Sequence, residues 1–160
     1  VGERATALVR QWDLADSSAG YYAFNDVHAL LVLLISGEQA RAEHWVARCA
    51  EQAMAVGESH RSNHAMAREV GAPLMRALLA YCRGEADAAA DALYAVRGKA
   101  QRFGGSHAQR DLIDQTLLAA AAEGTGTRTI GRAVLNERRL AKPVTALTRH
   151  WASRLPVALP

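Results

Sequence analysis

The chain has 160 residues, half of them hydrophobic, and a formal net charge of +3, enough to bury one sizeable core and to build a single domain or a short solenoid. No run of about 18 uncharged apolar residues occurs, and the longest candidate, Val27 to Ser36, is too short and contains His28, so a membrane-spanning helix is excluded. Cys49 and Cys82 are too few for a disulfide scaffold and lack metal-ligand spacing, so reduced thiols in a cytoplasmic protein are expected, with no metal or cofactor.

The 19 basic residues comprise 17 Arg and 2 Lys, which with abundant Ala points to a GC-rich bacterial genome. Residues 1 to 60 carry 4 Arg against 8 acids, a net of −4, whereas residues 61 to 160 carry 15 basic against 8 acidic residues, a net of +7. The molecule is therefore expected to be electrically polar from end to end. The chain begins at Val1 with no basic-then-apolar leader and reads as a piece of a longer protein.

In chain order, Glu3 to Trp12 has helical spacing and an acidic start, and Asp13 to Gly20 reads as a loop. Tyr21 to Ser36 is apolar enough for a buried helix, broken at Gly37-Glu38 and followed by an amphipathic helix over Ala40 to Val56. After polar Gly57 to Asn63, a second pair is predicted over Ala65 to Cys82 and Ala86 to Arg102, joined at Arg83-Gly84-Glu85 and interrupted at Gly98. Pro73 cannot donate to the carbonyl four residues back, and Gly71 weakens the same turn, so a break or kink is predicted there.

Arg102 to Asp111 is the most informative stretch. Gly104 and Gly105 supply the positive φ that ends one helical segment, Ser106 stands at an N-cap, and Gln109 completes a capping box three residues on. A third pair follows, Ser106 to Glu123 and Arg128 to Ala141, then Pro143 and a short last helix from Thr145 to Arg154.

Strand-like alternation is absent, so the predicted class is all-α, a superhelix of about three helix pairs plus flanking helices. The units run roughly over 20–57, 64–103 and 106–143 of one domain spanning 1–160, with a C-terminal helix over 144–155. Placing Gly37, Gly84 and Gly126 in register gives spacings of 47 and 42, against about 34 in a tetratricopeptide repeat. Five residues after each glycine stands a small residue (Ala42, Ala89, Gly131), and four further on an aliphatic one (Val46, Leu93, Leu135). Seven before stand Leu30, Ala77 and Ala119, at the close-contact position of paired helices.

This pattern resembles the tetratricopeptide repeat. Tyr22-Ala23-Phe24-Asn25-Asp26-Val27-His28-Ala29, Val70-Gly71-Ala72-Pro73-Leu74, Phe103 through Asp111, and Asn136-Glu137-Arg138-Arg139-Leu140-Ala141-Lys142-Pro143 resemble the C-terminal part of the tetratricopeptide repeat protein 38 family, over roughly residues 20 to 145. The resemblance implies an α-helical solenoid and no catalytic reaction.

In such a register the first helix of each pair lines a concave groove. That face holds Phe24, Val27, His28, Leu31, Leu34, Leu74, Met75, Leu78, Tyr81, Ile113 and Leu117. An exposed apolar face of this kind fits a protein or peptide segment read at helical spacing; the bland alternative is that other parts of a longer protein, a second copy or this chain's own tail fill it.

A second reading makes the chain an accessory or substrate-binding part of a larger enzyme. Asn25, Asp26 and His28, with His107, Arg110 and Asp111, would then approach a small molecule; the bland alternative gives these residues to caps and hydrogen bonds between repeats. Arg83 beside Cys82 would lower that thiol's pKa, but no His partner accompanies it. Seven basic residues against Glu137 between Arg128 and Arg154 form a basic end, and the absence of a recognition motif disfavours nucleic acid. The reading is a non-enzymatic helical scaffold that binds protein or peptide, away from membranes.

Overall fold

The computed structural model describes residues 2–12, 14–55, 57, 63–141 and 143–156, with the backbone alone at 103. The described residues are all-α. Helices α1 (Gly2–Gln11), α2 (Ala23–Ile35) and α3 (Gln39–Met54) come first, with a 3-10 turn at Asp16–Ser18. Then come α4 (His64–Met66), a π-helical stretch Ala67–Gly71, α5 (Ala72–Cys82) and α6 (Ala86–Arg97). A 3-10 segment Ala100–Phe103 precedes α7 (His107–Glu123), α8 (Arg128–Ala141) and α9 (Ala146–Arg154). Neighbouring helices pack together, most extensively α5 with α6 and α6 with α7, while α2 and α7 both touch α5.

Two of the expected glycine junctions share one hydrogen-bond pattern. At Gly37 (φ 78°) the Glu38 N–H donates to the Leu33 carbonyl and the Gly37 N–H to Leu34. At Gly84 (φ 79°) Glu85 donates to Ala80 and Gly84 to Tyr81. Both are Schellman closures, which need a residue at positive φ.

The third junction is built otherwise. Gly126 is not among the positive-φ glycines; instead the Asp87 carboxylate on α6 accepts from the N–H groups of Thr125, Gly126 and Thr127 and from the Thr127 hydroxyl at 2.7 Å. Those bonds hold the Asp87 carboxyl below its usual range, the Thr127 hydroxyl bond first among them.

The break predicted at Pro73 is absorbed rather than expressed. The chain runs from His64 to Cys82 without leaving the helical region, and Ala67–Gly71 winds as a π-helix just before the proline. Widening the turn accommodates the hydrogen bond that Pro73 cannot make. Upstream of Ser106, α6 ends at Arg97, with Gly98 as its C-cap. Ser106 accepts from the Gln109 N–H at 3.2 Å, and the Gln109 side chain takes the Ser106 N–H at 2.8 Å, so the capping box forms as predicted.

The core is layered by small residues. Leu30, Leu33, Leu93, Leu117 and Leu118 are fully enclosed, and Ala42 and Ala89 are completely buried at their register positions. A Cβ at Gly131 would lie 2.7 Å from the Ala121 Cβ and 3.1 Å from the Leu155 methyls, so α7 and α8 meet nearly backbone to backbone. Gly131→Val is therefore expected to cost about 2 kcal/mol or more by overpacking, while Ala133→Met on the exposed face of α8 stays within about 0.5 kcal/mol. Urea unfolding of the two variants checks this, and equal midpoints would show that α7 and α8 are not in contact.

Candidate functional site

The first turn of α2 carries two of the sequence-predicted polar residues, Asn25 and Asp26, and distant parts of the chain fix it. Its N-cap position, Tyr22, offers no side-chain bond. Asn63 supplies the cap from the start of α4, accepting from the Ala23 N–H at 3.3 Å and donating to the Tyr21 carbonyl at 3.2 Å. Asp26 turns inward and is 4% exposed, its Oδ1 taking the Gly20 N–H at 3.3 Å, while the Trp45 indole donates to the Asp26 backbone carbonyl at 3.0 Å.

Burial pushes the Asp26 carboxyl up to about 6, against smaller lowering effects of the Gly20 N–H and the Cys49 thiol. The Cys49 thiol is itself pushed up to about 12, by burial first and then by the nearby Asp26 charge.

Asp26 and His28 do not present together. Two residues apart on a helix, they leave it in nearly opposite directions. His28 bonds through Nδ1 to the Phe24 carbonyl at 2.8 Å, and its ring lies 4.3 Å from the Phe24 ring. Both side chains enter an apolar cleft of about 120 Å3 between α2, α5 and α7. Val27 and Leu31 continue the α2 wall, Leu74 and Leu78 form the α5 wall, and Gln109, Arg110, Leu112 and Ile113 the α7 wall.

His107, Arg110 and Asp111 do meet, in a separate polar cavity of about 480 Å3 between the end of α6, the start of α7 and the end of α8. Its charges are mutually engaged. Arg97 bonds to Asp114 at 3.0 Å and to Glu137 at 2.7 Å, and Arg138 pairs with Asp111 and with Asp114. These bonds raise the Arg97 and Arg138 pKa values, chiefly through Asp114 and Asp111 respectively. Arg110 donates to the carbonyls of Gly104 and Gly105 and reaches the His107 Nδ1 at 3.3 Å. The cavity is thus a braced ion network joining α6, α7 and α8.

Of the predicted groove residues, Phe24, His28, Leu31, Leu78 and Ile113 line the cleft together. Met75 and Leu117 lie in the core at 1% and 0% exposure, and the cleft exposes only the edges of Leu78 and Ile113. An open apolar face over the whole set is not present, because neighbouring helices close over it. Tyr81 points elsewhere, donating its hydroxyl to Glu123 at 3.1 Å. Asn25 and Asp26 line a third cavity with Trp12 and Trp45.

The expected lowering of the Cys82 pKa is also corrected. Arg83 pairs with Glu43 at 2.8 Å, and partial burial raises the thiol instead. Gln109 and Leu112 went unpredicted; their helical neighbours Arg110 and Ile113 were the available signal. No group of three or more His, Cys, Asp or Glu among the described residues could hold a metal, and none of the described helices is long and apolar enough to cross a membrane. No protein-family model matches the chain, and no solved structure matches it.

Because its folded pKa is raised, Asp26 opposes folding once ionised: its contribution is most favourable below about pH 4 and worsens as pH rises through about 6. Asp26→Asn should match the parent near pH 4 and become more stable by about 2 kcal/mol at pH 7, after allowance for solvent screening. Denaturation of both proteins across this range measures the difference, which should stay flat if Asp26 is solvated.

Proposed function

We propose that this chain is a tetratricopeptide-like helical scaffold that binds a protein segment, anchoring one apolar side chain of that segment between α2, α5 and α7. The observation that carries the reading is the cleft itself: the first helices of three successive pairs converge on one apolar recess. Two further features favour the repeat register. The Gly37 and Gly84 junctions repeat the same backbone bonds 47 residues apart, and Ala42, Ala89 and Gly131 are all buried at the equivalent position. The resemblance to the C-terminal part of the tetratricopeptide repeat protein 38 family points the same way.

The cleft volume, about 120 Å3, suits a Leu- or Met-sized anchor rather than a whole helix face. Gln109, Arg110 and His28 at its edge add polar groups beside the anchor. The competing small-molecule reading needs Asp26, His28, His107 and Arg110 around one ligand; Asp26, His28 and His107 line three different cavities.

Selection of binders from a displayed peptide library, followed by fluorescence polarisation, tests the proposal. Binders should share an apolar anchor, and Leu31→Glu or Leu112→Glu should weaken them by about tenfold or more. Both side chains are partly exposed, so circular dichroism should remain unchanged. Binders insensitive to both substitutions would place the interface elsewhere and overturn the cleft assignment.

A further inference from the structure

On the other side of the α2 first turn lies a cavity of about 110 Å3 that the scaffold reading leaves unused. Two of the chain's three tryptophans and two of its four tyrosines line it, Trp12, Tyr21, Tyr22 and Trp45, together with Asp26. Core packing accounts for Trp45, which is 4% exposed, and for Trp12, which packs against the core. It does not account for Tyr21, which stands 76% exposed, and accounts only in part for Tyr22, which is 43% exposed and sets its ring 6.1 Å from that of Phe24.

We propose that this pocket binds a methylated ammonium group, held among the four aromatic rings with the Asp26 carboxylate as its buried counter-charge. Aromatic faces carry negative potential and suit a diffuse, weakly hydrated cation. Among the described residues, the lining adds Ser18, Asn25 and Asp26 to the aromatics and includes no Lys or Arg. An anion would therefore meet no cationic partner there and would be repelled by the Asp26 carboxylate. A metal ion would find one carboxylate where several are needed, and a neutral apolar ligand would leave Asp26 with hydrogen bonds but no counter-charge. A methylated ammonium satisfies both the rings and the acid, and the cavity is on the scale of one such head group.

The site also has a built-in pH dependence. A bound cation favours the ionised carboxylate, so affinity should rise between about pH 5 and 7 as Asp26 loses its proton. The groups facing Asp26 do not reverse this sign: Gly20 offers an N–H, the Cys49 thiol on α3 stays protonated in that range, and the Tyr21 and Tyr22 phenols complete the lining. Arg48, also on α3, acts on Cys49 and pairs with Asp16 and Glu51.

Choline and its uncharged isostere 3,3-dimethylbutanol, titrated against the chain by tryptophan fluorescence and calorimetry, provide the test. Choline should bind about tenfold or more tightly than the isostere. Tyr21→Ala should weaken choline by a similar factor and Tyr21→Phe should not, while Asp26→Asn should weaken it and abolish the pH dependence. A peptide bearing trimethyl-lysine distinguishes the source: tighter binding than choline places the ammonium on a protein, weaker binding on a small molecule or lipid head group, and either order supports the site. Equal affinities for choline and isostere, no binding of choline or the trimethyl-lysine peptide, or choline affinity unmoved by both Tyr21→Ala and Asp26→Asn would overturn the proposal. Binding at the cleft is measured separately, since Leu31→Glu should leave choline affinity unchanged.

Discussion

The structure depends on how closely the backbone can approach the first turn of α2. A Cβ at Gly71 would lie 2.8 Å from the Ala23 Cβ, and one at Gly105 would clash with the edge of the Phe24 ring at Cε2 and Cζ. Gly20 bonds to Asp26, Asn63 caps Ala23, and Trp45 holds the Asp26 carbonyl. Six consecutive residues, 21 to 26, thereby receive the preceding loop, α3, the π-helical stretch and the turn before α7. Three of these contacts come through glycines, because a side chain at either Gly71 or Gly105 would displace α2, and Gly20 needs its positive φ of 78° beside Gln52. Both recesses given a binding role flank this turn, one on each side.

The π-helical stretch belongs to the same constraint. Placed immediately before Pro73, it lets one helical segment pass a residue that cannot donate, and it ends on Gly71, where α2 comes nearest. A regular α-helix through this region would lose a hydrogen bond at the proline. Widening the turn accommodates that loss, and α5, which follows, supplies Leu74 and Leu78 to the cleft.

Features governed by short-range chemistry were legible in the sequence. The capping box at Ser106 and Gln109, the positive φ of Gly104 and Gly105, and the helix ends at Gly37 and Gly84 follow from what each residue permits within four positions. Long-range choices were hidden. Apolar spacing marks Met75 and Leu117 as inward-facing on some side, but not whether a neighbouring helix covers them; both are covered. Asp87 reads as an ordinary helix-start acid, yet its partners stand 38 to 40 residues away at Thr125 to Thr127. Trp12, Tyr21, Asp26 and Trp45 form no spacing motif, and only the fold collects them.

The two halves of the sequence differ in net charge and in how their buried charges are engaged. In the basic half, Arg97 and Arg138 are engaged with Asp111, Asp114 and Glu137, so the polar cavity of about 480 Å3 is lined by paired charges that brace α6 to α8. Such pairs hold geometry more than they add stability, because their attraction is offset by desolvation. In the acidic half, Asp26 sits buried with no cationic side chain among the described residues lining its cavity, and burial raises its carboxyl pKa. A helical scaffold needing only a core would gain by placing an amide there. A buried carboxyl hydrogen-bonded by Gly20 and Cys49, in a cavity lined by four aromatic residues, is the arrangement that a cation arriving from outside would complete.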